Sequence, residues 1–293
     1  MKKLKFLLSL ILEENAYQKL LAATAQDAAK RLDVDLEVLY GGNDAIAQSQ
    51  HLLNAIQSKD SKPDGIICAP VGTPLVQVAR QAAAAGIGWA LLERRCDYLA
   101  ELRRDYQVPI FGVSPDQEEI GRIQGRQIGA LLPGGGLILH ITGPTASSAV
   151  ELRTAGMQST KPANIEVRTL VGNWSEESGY KAISRWLQLS TSHAAPVKLV
   201  AAQNDEMAMG ARKAFESETR SEERKRWTSL PYIGCDGCPG AGQDWVRRGL
   251  LAASVATPST ADVAVELMAT AIRTKTQLPE RKILLPTALY GNL

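Results

Sequence analysis

The sequence is poor in the residues on which most metal and covalent chemistry depends. Its 293 residues include three His and four Cys. Cys235 and Cys238 form a lone Cys-x-x-Cys, CDGC, with no second pair to complete a zinc site. They read as loop residues flanking Asp236. Cys68 lies in an apolar run and reads as a small buried hydrophobe, and Cys96 follows Arg94 and Arg95. Four such cysteines do not decide a redox compartment. His51, His140 and His193 have no acidic or Cys neighbours at ligand spacing. His140 alone ends a strand-like run, and it reads as a core or rim histidine. No metal and no cofactor are therefore expected.

Excess charge of one sign is also missing. Lys and Arg number 33 against 31 Asp and Glu, net +2, and the two signs are interspersed. That argues against a chain dominated by nucleic-acid binding. Long apolar runs are missing too. Leu4 to Leu12 follows Lys2 and Lys3 in the manner of a signal peptide, but Glu13 and Glu14 end it with no small-residue cleavage site. It is far too short to span a bilayer, and it reads as a buried strand. On that reading the chain carries no export signal. It is then either cytoplasmic, or a periplasmic or extracytoplasmic protein whose signal has been trimmed.

What is present is a regular alternation. Apolar residues make up 45% and charged residues 22%, which excludes a disordered chain. The length suggests two domains. Leu4–Leu12, Leu36–Tyr40, Gly65–Ala69 and Trp89–Glu93 read as strands. Helical spacing at Tyr17–Leu32, Ala45–Ser58 and Pro74–Ala85 lies between them. The same grammar restarts with a helix at Pro115–Leu132 and strands at Leu137–Ile141, Ile165–Val171, Val197–Ala202 and Tyr232–Cys235. Helices are read from Val150, at Glu176–Leu189, at Glu206–Ser217 and at Thr260–Lys275. Leu251–Ala256 and Ile283–Leu285 are the last strands. Continuous apolar strands separated by helices predict an α/β fold with parallel sheets covered on both faces. No Ser/Gly-rich linker separates the two halves.

Common catalytic patterns are absent. Gly134-Gly135-Gly136 precedes a strand and lacks the Gly-Lys-Ser/Thr of a phosphate loop. There is no Gly-x-Ser-x-Gly elbow, and no Rossmann glycine fingerprint follows the first strand. In open α/β sheets, ligands bind beyond the carboxyl ends of the strands. The residues there are Asn15, Tyr17, Glu93, Arg94, Arg153, Trp174, Asn204, Asp205 and Asp236. Carboxylates and guanidinium groups suit hydroxyls through charge-assisted bonds, and aromatic rings suit the C–H face of a sugar. Each residue also has a structural reading. Arg94 and Arg153 suit salt bridges and Asp236 a turn. Trp174 suits a core, and Asn204 or, more strongly, Asp205 a helix cap.

QNDEMAMGA at 203–211, placed after an apolar strand, resembles the matching motif of the ribose-binding-protein family of type I periplasmic binding proteins. That family also supplies the ligand domains of lactose-repressor-like regulators. SSAVELRTAGM at 147–157, IGCDGCP at 233–239 and LLAASVATP at 250–258 resemble further family segments in the same order. The resemblance implies two doubly wound parallel-sheet lobes joined by a three-strand hinge. Their expected boundaries are 1–113 plus 258–285, and 114–257 plus 286–293. Crossings are expected near Gly112–Pro115, Ala256–Ser259 and Leu285–Thr287, with Pro115, Pro258 and Pro286 stiffening them. The stretch 97–108 is longer than the family pattern and is expected to form an extra helix, with Arg103 and Arg104 solvated.

Carried over residue by residue, the implied ligand set is Asn15, Tyr17 and Gln18 after the first strand, and the acid-Arg pair Glu93 and Arg94 after the fourth. Arg153, Trp174, Asn204, Asp236 and Thr257 complete it. Three positions depart from the pattern: Glu93 stands where Asp is usual, Gln18 where a second aromatic is usual, and Thr257 where Gln is usual. A sugar or polyol other than ribose is implied. The implied function is a solute-binding protein that captures this ligand between its lobes by hinge closure and delivers it to an ABC-type permease, as a monomer. Three other readings stand beside it. The ligand domain of a transcriptional regulator would need a helix-turn-helix before the first strand. A sensory module would feed a partner such as a kinase. An enzyme would need a nucleophile-base or metal constellation, which the sequence does not offer.

Overall fold

A computed structural model describes residues 3–72 and 75–291. Among them the chain runs β1 (Leu4–Leu10), α1 (Ala16–Arg31), β2 (Val34–Tyr40), α2 (Ala45–Gln57), β3 (Gly65–Cys68), α3 (Val76–Ala84), β4 (Gly88–Leu92), α4 (Tyr98–Asp105) and β5 (Ile110–Pro115). It continues through α5 (Gln117–Leu131), β6 (Gly136–Thr142), α6 (Ser148–Thr160), β7 (Ile165–Val171), α7 (Glu176–Leu187), β8 (Val197–Ala202), α8 (Asp205–Glu216), α9 (Ser221–Thr228), β9 (Tyr232–Ile233), α10 (Gly242–Arg247) and β10 (Ala253–Ala256). It ends with α11 (Ala261–Thr274), β11 (Arg281–Leu284) and β12 (Thr287–Tyr290).

These elements form two compact units. One is Met1–Pro115 with Pro258–Leu284, the other Asp116–Thr257 with Leu285–Leu293. The chain therefore passes between units three times. The first passage falls after Pro115 because β5 runs on to that residue, two positions beyond the expected boundary. The last falls after Leu284, where β11 ends.

The first unit holds a six-stranded sheet in the order β11-β5-β4-β3-β1-β2, and every pairing in it is parallel. The register sets Phe6 beside Leu36 on one side and Gly65 on the other. The second unit repeats the order as β12-β10-β9-β8-β6-β7, with only β12 antiparallel to its neighbour. Strands β1, β3 and β4 are almost wholly buried, as the continuous apolar runs require in a sheet covered on both faces. Helices start where short polar side chains satisfy their first N–H groups. Asn15, Asp44, Asp116, Ser175 and Asn204 each accept from a backbone N–H two or three residues on.

Several sequence readings need correction. Pro115 does not open a helix; it closes β5, and Asp116 caps α5. The stretch Gly112–Pro115, read only as a crossing, belongs to a strand, β5, and Thr287–Tyr290 is a strand as well. Helices α9 and α10 were not expected. In α9 a charged run carries only Trp227 inward, so its periodicity is too sparse to read. The start expected for α3 at Pro74 lies outside the described residues. The stretch 97–108 does contain a helix, α4, which buries Tyr98, Leu99 and Leu102. Arg103, however, is only partly exposed. Its guanidinium donates to the carbonyls of Ile110 and Leu278, each at 2.6 Å.

The core of the second unit is built around aromatic rings. Phe215 and Trp227 stack at 5.0 Å, and Trp186 meets Trp227 edge-on at 5.5 Å. On β6 of this unit His140 is buried at 1% exposure, and neither ring nitrogen has a partner among the described residues. Burial drives its pKa down to about 4, so it is a neutral core side chain at ordinary pH.

Helix pairs in this unit approach closely at glycines. A Cβ on Gly121 of α5 would fall closer than 3.0 Å to the carbonyl of Arg153 in α6, and one on Gly156 would meet Glu118 in the same way. Backbone cannot yield as a side chain can. Gly121→Ala is expected to destabilise by about 3 kcal/mol, the upper end for overpacking. Gly134, with open space around it, is the control. Urea titration of the two Ala variants checks this, and equal midpoints would refute it.

Candidate functional site

In the first unit the expected residues lie at the carboxyl ends of β1 and β4. Asn15 caps α1, accepting from the Gln18 N–H at 3.0 Å, and is 5% exposed. Gln18 is turned inward: its Oε1 accepts from the Ile11 N–H at 2.8 Å and so fixes the loop after β1. Tyr17 reaches across to Glu93, 3.0 Å from its hydroxyl to Glu93 Oε1, and the same hydroxyl lies 3.0 Å from the Pro258 carbonyl. Thr260 Oγ1 donates to Glu93 Oε1 as well, at 2.5 Å. The acid is thus held by two hydroxyls from distant segments, α1 and the start of α11. Arg94 is half-buried beside it, with Nη1 3.4 Å from the Glu93 carbonyl. Tyr17 and Glu93 are brought together, while Gln18 is directed at backbone.

In the second unit Arg153, Trp174 and Asn204 form a connected group. Arg153 is 5% exposed and lies on α6. Its Nε donates to Gln117 Oε1 at 2.7 Å, and its Nη1 donates to the Gln203 carbonyl. Its guanidinium carbon sits 5.6 Å from the centroid of the Trp174 ring. Asn204 Oδ1 accepts from the Met207 N–H and its Nδ2 donates to the Trp174 carbonyl at 2.9 Å, so one side chain caps α8 and ties down the Trp174 loop. Asn204, not Asp205, is therefore the cap. A β-carbon on Gly143 would collide with the Trp174 ring, so glycine there is what lets the indole lie where it does.

Asp236 and Thr257 are joined through backbone. The Asp236 N–H donates to Val255, and the Thr257 N–H donates to Asp236. Thr257 Oγ1 lies 3.5 Å from Cys235 Sγ. Burial pushes the Cys235 thiol to about 12, so it carries its proton at neutral pH. All four cysteines are buried and free.

Six non-glycine residues among those described have positive φ, and three of them are Glu93 at 64°, Trp174 at 74° and Asp236 at 107°. Such conformations cost free energy and persist where the surroundings over-determine them. Each lies within three residues of a strand end, Glu93 after β4, Trp174 after β7 and Asp236 after β9. No sequence signal marks Glu93 or Trp174, because Glu and Trp are not residues that favour this region; Asp236, before Gly237, was legible as a turn residue. Gln117, Gln203 and Thr260 also belong to these networks, although their residue types do not mark them in the sequence. Gln203 is fully buried and bonds Gly143, Val150 and Thr154. The Gln-Asn-Asp run was the available signal for it.

The periplasmic binding protein domain model matches residues 6–276. The chain belongs to the periplasmic binding protein family. Among curated relatives of this periplasmic binding protein is a putative rhizopine-binding protein of Rhizobium meliloti, 30% identical over 220 residues, 73% of this chain and 68% of the relative. The D-apiose import binding protein of Paraburkholderia graminis is 28% identical over 283 residues, 92% of this chain and 82% of the relative. Among solved structures, a periplasmic solute binding protein of an ABC transporter from Actinobacillus succinogenes, with bound D-allose, superposes with a TM-score of 0.82 at 20% identity, covering 98% of each chain. At that identity the superposition establishes the fold of this periplasmic binding protein as two α/β units with mostly parallel sheets. No helix of the described residues is long and apolar enough to cross a membrane.

Proposed function

We propose that this periplasmic binding protein captures a small sugar or polyol and hands it to an ABC-type permease, working outside the cytoplasm as a monomer. The observation that carries the reading is the Arg153–Trp174–Asn204 group. A buried guanidinium is held against an indole at the carboxyl end of a mostly parallel sheet, within a chain that belongs to this family. Planar donors and an aromatic face are the chemistry that hydroxyls and a sugar ring need. In the proposal Asn15, Glu93 and Arg94 from the first unit, and Arg153, Trp174, Asn204 and Asp236 from the second, take hold of one ligand. Tyr17, Gln18 and Thr257 support their neighbours, through Glu93, the loop after β1 and the Asp236 turn. The relatives' ligands, a rhizopine, D-apiose and D-allose, support the choice of class.

A thermal-shift panel of D-ribose, D-allose, D-apiose, myo-inositol and their phosphates tests it. A ligand that binds only the folded state at 100 times its Kd adds about 2.7 kcal/mol. For a chain of this size that raises Tm by roughly 5 °C. A shift with one neutral member is the expected result. A shift with phosphorylated members alone would favour a regulator or sensor, and no shift would overturn the reading.

A further inference from the structure

We propose that Asp205 is a positioning residue that holds the Asp236–Gly237 turn in its binding conformation, from a buried site behind that turn. The part concerning ligand affinity rests on the reading above, in which Asp236 contacts the sugar.

The geometry is specific. Asp205 is the first residue of α8 and is 3% exposed. Its Oδ2 accepts from the Gly237 N–H at 2.8 Å, and its Oδ1 accepts from Ser254 Oγ at 2.6 Å. Its own N–H donates to the Cys235 carbonyl at 2.6 Å. The carboxylate therefore links α8, the turn after β9 and strand β10. The turn needs such a link, because Asp236 holds a φ of 107° that a non-glycine residue adopts only under constraint. Strand β10 and the residue after it supply two backbone bonds, at Val255 and Thr257. Asp205 supplies the bond on the residue that follows.

Two glycines show how closely the carboxylate is fitted. A Cβ on Gly234 would fall closer than 3.0 Å to Oδ1, and a Cβ on Gly242 would do so to Oδ2. Neither glycine has positive φ, so what excludes a side chain there is the space that Asp205 and its surroundings occupy, not backbone conformation. The Asn-Asp pair thus divides its work: Asn204 caps the helix and ties down Trp174, and Asp205 serves the opposite turn.

The groups facing Asp205 are Ser254 on β10, Arg153 on α6, Glu206 on its own helix, and Cys235, Asp236 and Cys238 in the loop after β9. Burial outweighs the bonds from Ser254 and Gly237 and raises the carboxyl to about 7. The ionised form accepts the Gly237 N–H more strongly than the neutral form does. The turn is therefore held more firmly above pH 7 than below it. The proposal expects sugar affinity to fall as pH drops from 8 to 6.

The decisive experiment is a pH titration of wild type and Asp205→Asn, read two ways. Asn keeps the shape: its Oδ1 can accept from Gly237 and its Nδ2 can donate to Ser254, so the variant is expected to fold. The Gly237 amide resonance is expected to move through one step near pH 7 in wild type and to lack that step in Asp205→Asn. The Kd of the neutral sugar selected from the panel should weaken several-fold between pH 8 and pH 6 in wild type and stay flat in the variant. A Gly237 amide that exchanges with solvent as slowly in Asp205→Ala as in wild type would overturn the proposal, because the bond to Oδ2 would then not be what protects it. So would an Asp205→Asn protein with the wild-type Kd at both pH values. If no panel sugar binds wild type, the binding reading fails and the affinity claim with it; the exchange rate of the Gly237 amide in Asp205→Ala still decides whether Asp205 holds the turn.

Discussion

Arg153→Ala is expected to weaken binding of the selected sugar by roughly 10- to 100-fold, the equivalent of about 1.5–3 kcal/mol for a hydrogen bond to a charged group. The loss has two sources. A planar donor disappears from beneath the Trp174 ring, where its guanidinium carbon now lies 5.6 Å from the centroid. Gln117 Oε1 and the Gln203 carbonyl lose the donor that now satisfies them in a buried setting. The second source also acts on stability, at about 1–3 kcal/mol. Arg153→Lys separates the two. Lysine restores charge but not the fork of N–H groups that meets Gln117 and Gln203 together, so affinity should recover only in part. Isothermal titration against the same sugar, with denaturation of each variant in parallel, provides both numbers. Wild-type affinity in both variants would remove Arg153 from the site and leave it a structural role alone.

Trp227→Ala is expected to cost about 3–5 kcal/mol of stability, the range for truncating a buried aromatic. Trp227 is fully buried and stacks on Phe215 at 5.0 Å with Trp186 against its edge. The Arg226 guanidinium carbon also lies 4.2 Å from the ring centroid. These partners come from α7, α8 and α9, so the cavity would open where three helices meet. Because the chain forms two units, calorimetry should show one transition moving down in temperature and the other, from the unit of 1–115 with 258–284, moving less. A melting profile identical to wild type would mean that α9 contributes little to its unit, contrary to the packing.

Much of the fold was legible in the residues themselves. Continuous apolar strands such as Leu4–Leu10 and Gly65–Cys68 can only be stable when covered on both faces, and helical spacing between them supplies the covers. The carboxyl-end polar residues were legible too, since strand ends are marked by the change from apolar to polar. Edge elements were not. β12 and α9 carry few inward residues, so their periodicity is faint, and only pairing with β10 or packing on Phe215 makes them regular.

The sequence alone determined the alternation of strand and helix, the two-unit plan and the family, because these follow from local periodicity and from contiguous motifs such as QNDEMAMGA. Tertiary structure alone decided what each site residue does with its polar atoms. Gln18 turns to Ile11 and Tyr17 to Glu93, Asn204 rather than Asp205 caps α8, and Asp205 reaches Gly237 and Ser254. The physical reason is that a hydrogen bond depends on distance and direction between groups far apart in the chain. Tyr17 and Glu93 are 76 residues apart, and Asp205 and Ser254 are 49. Residue type announces that a donor or acceptor is present, and only the folded backbone selects its partner.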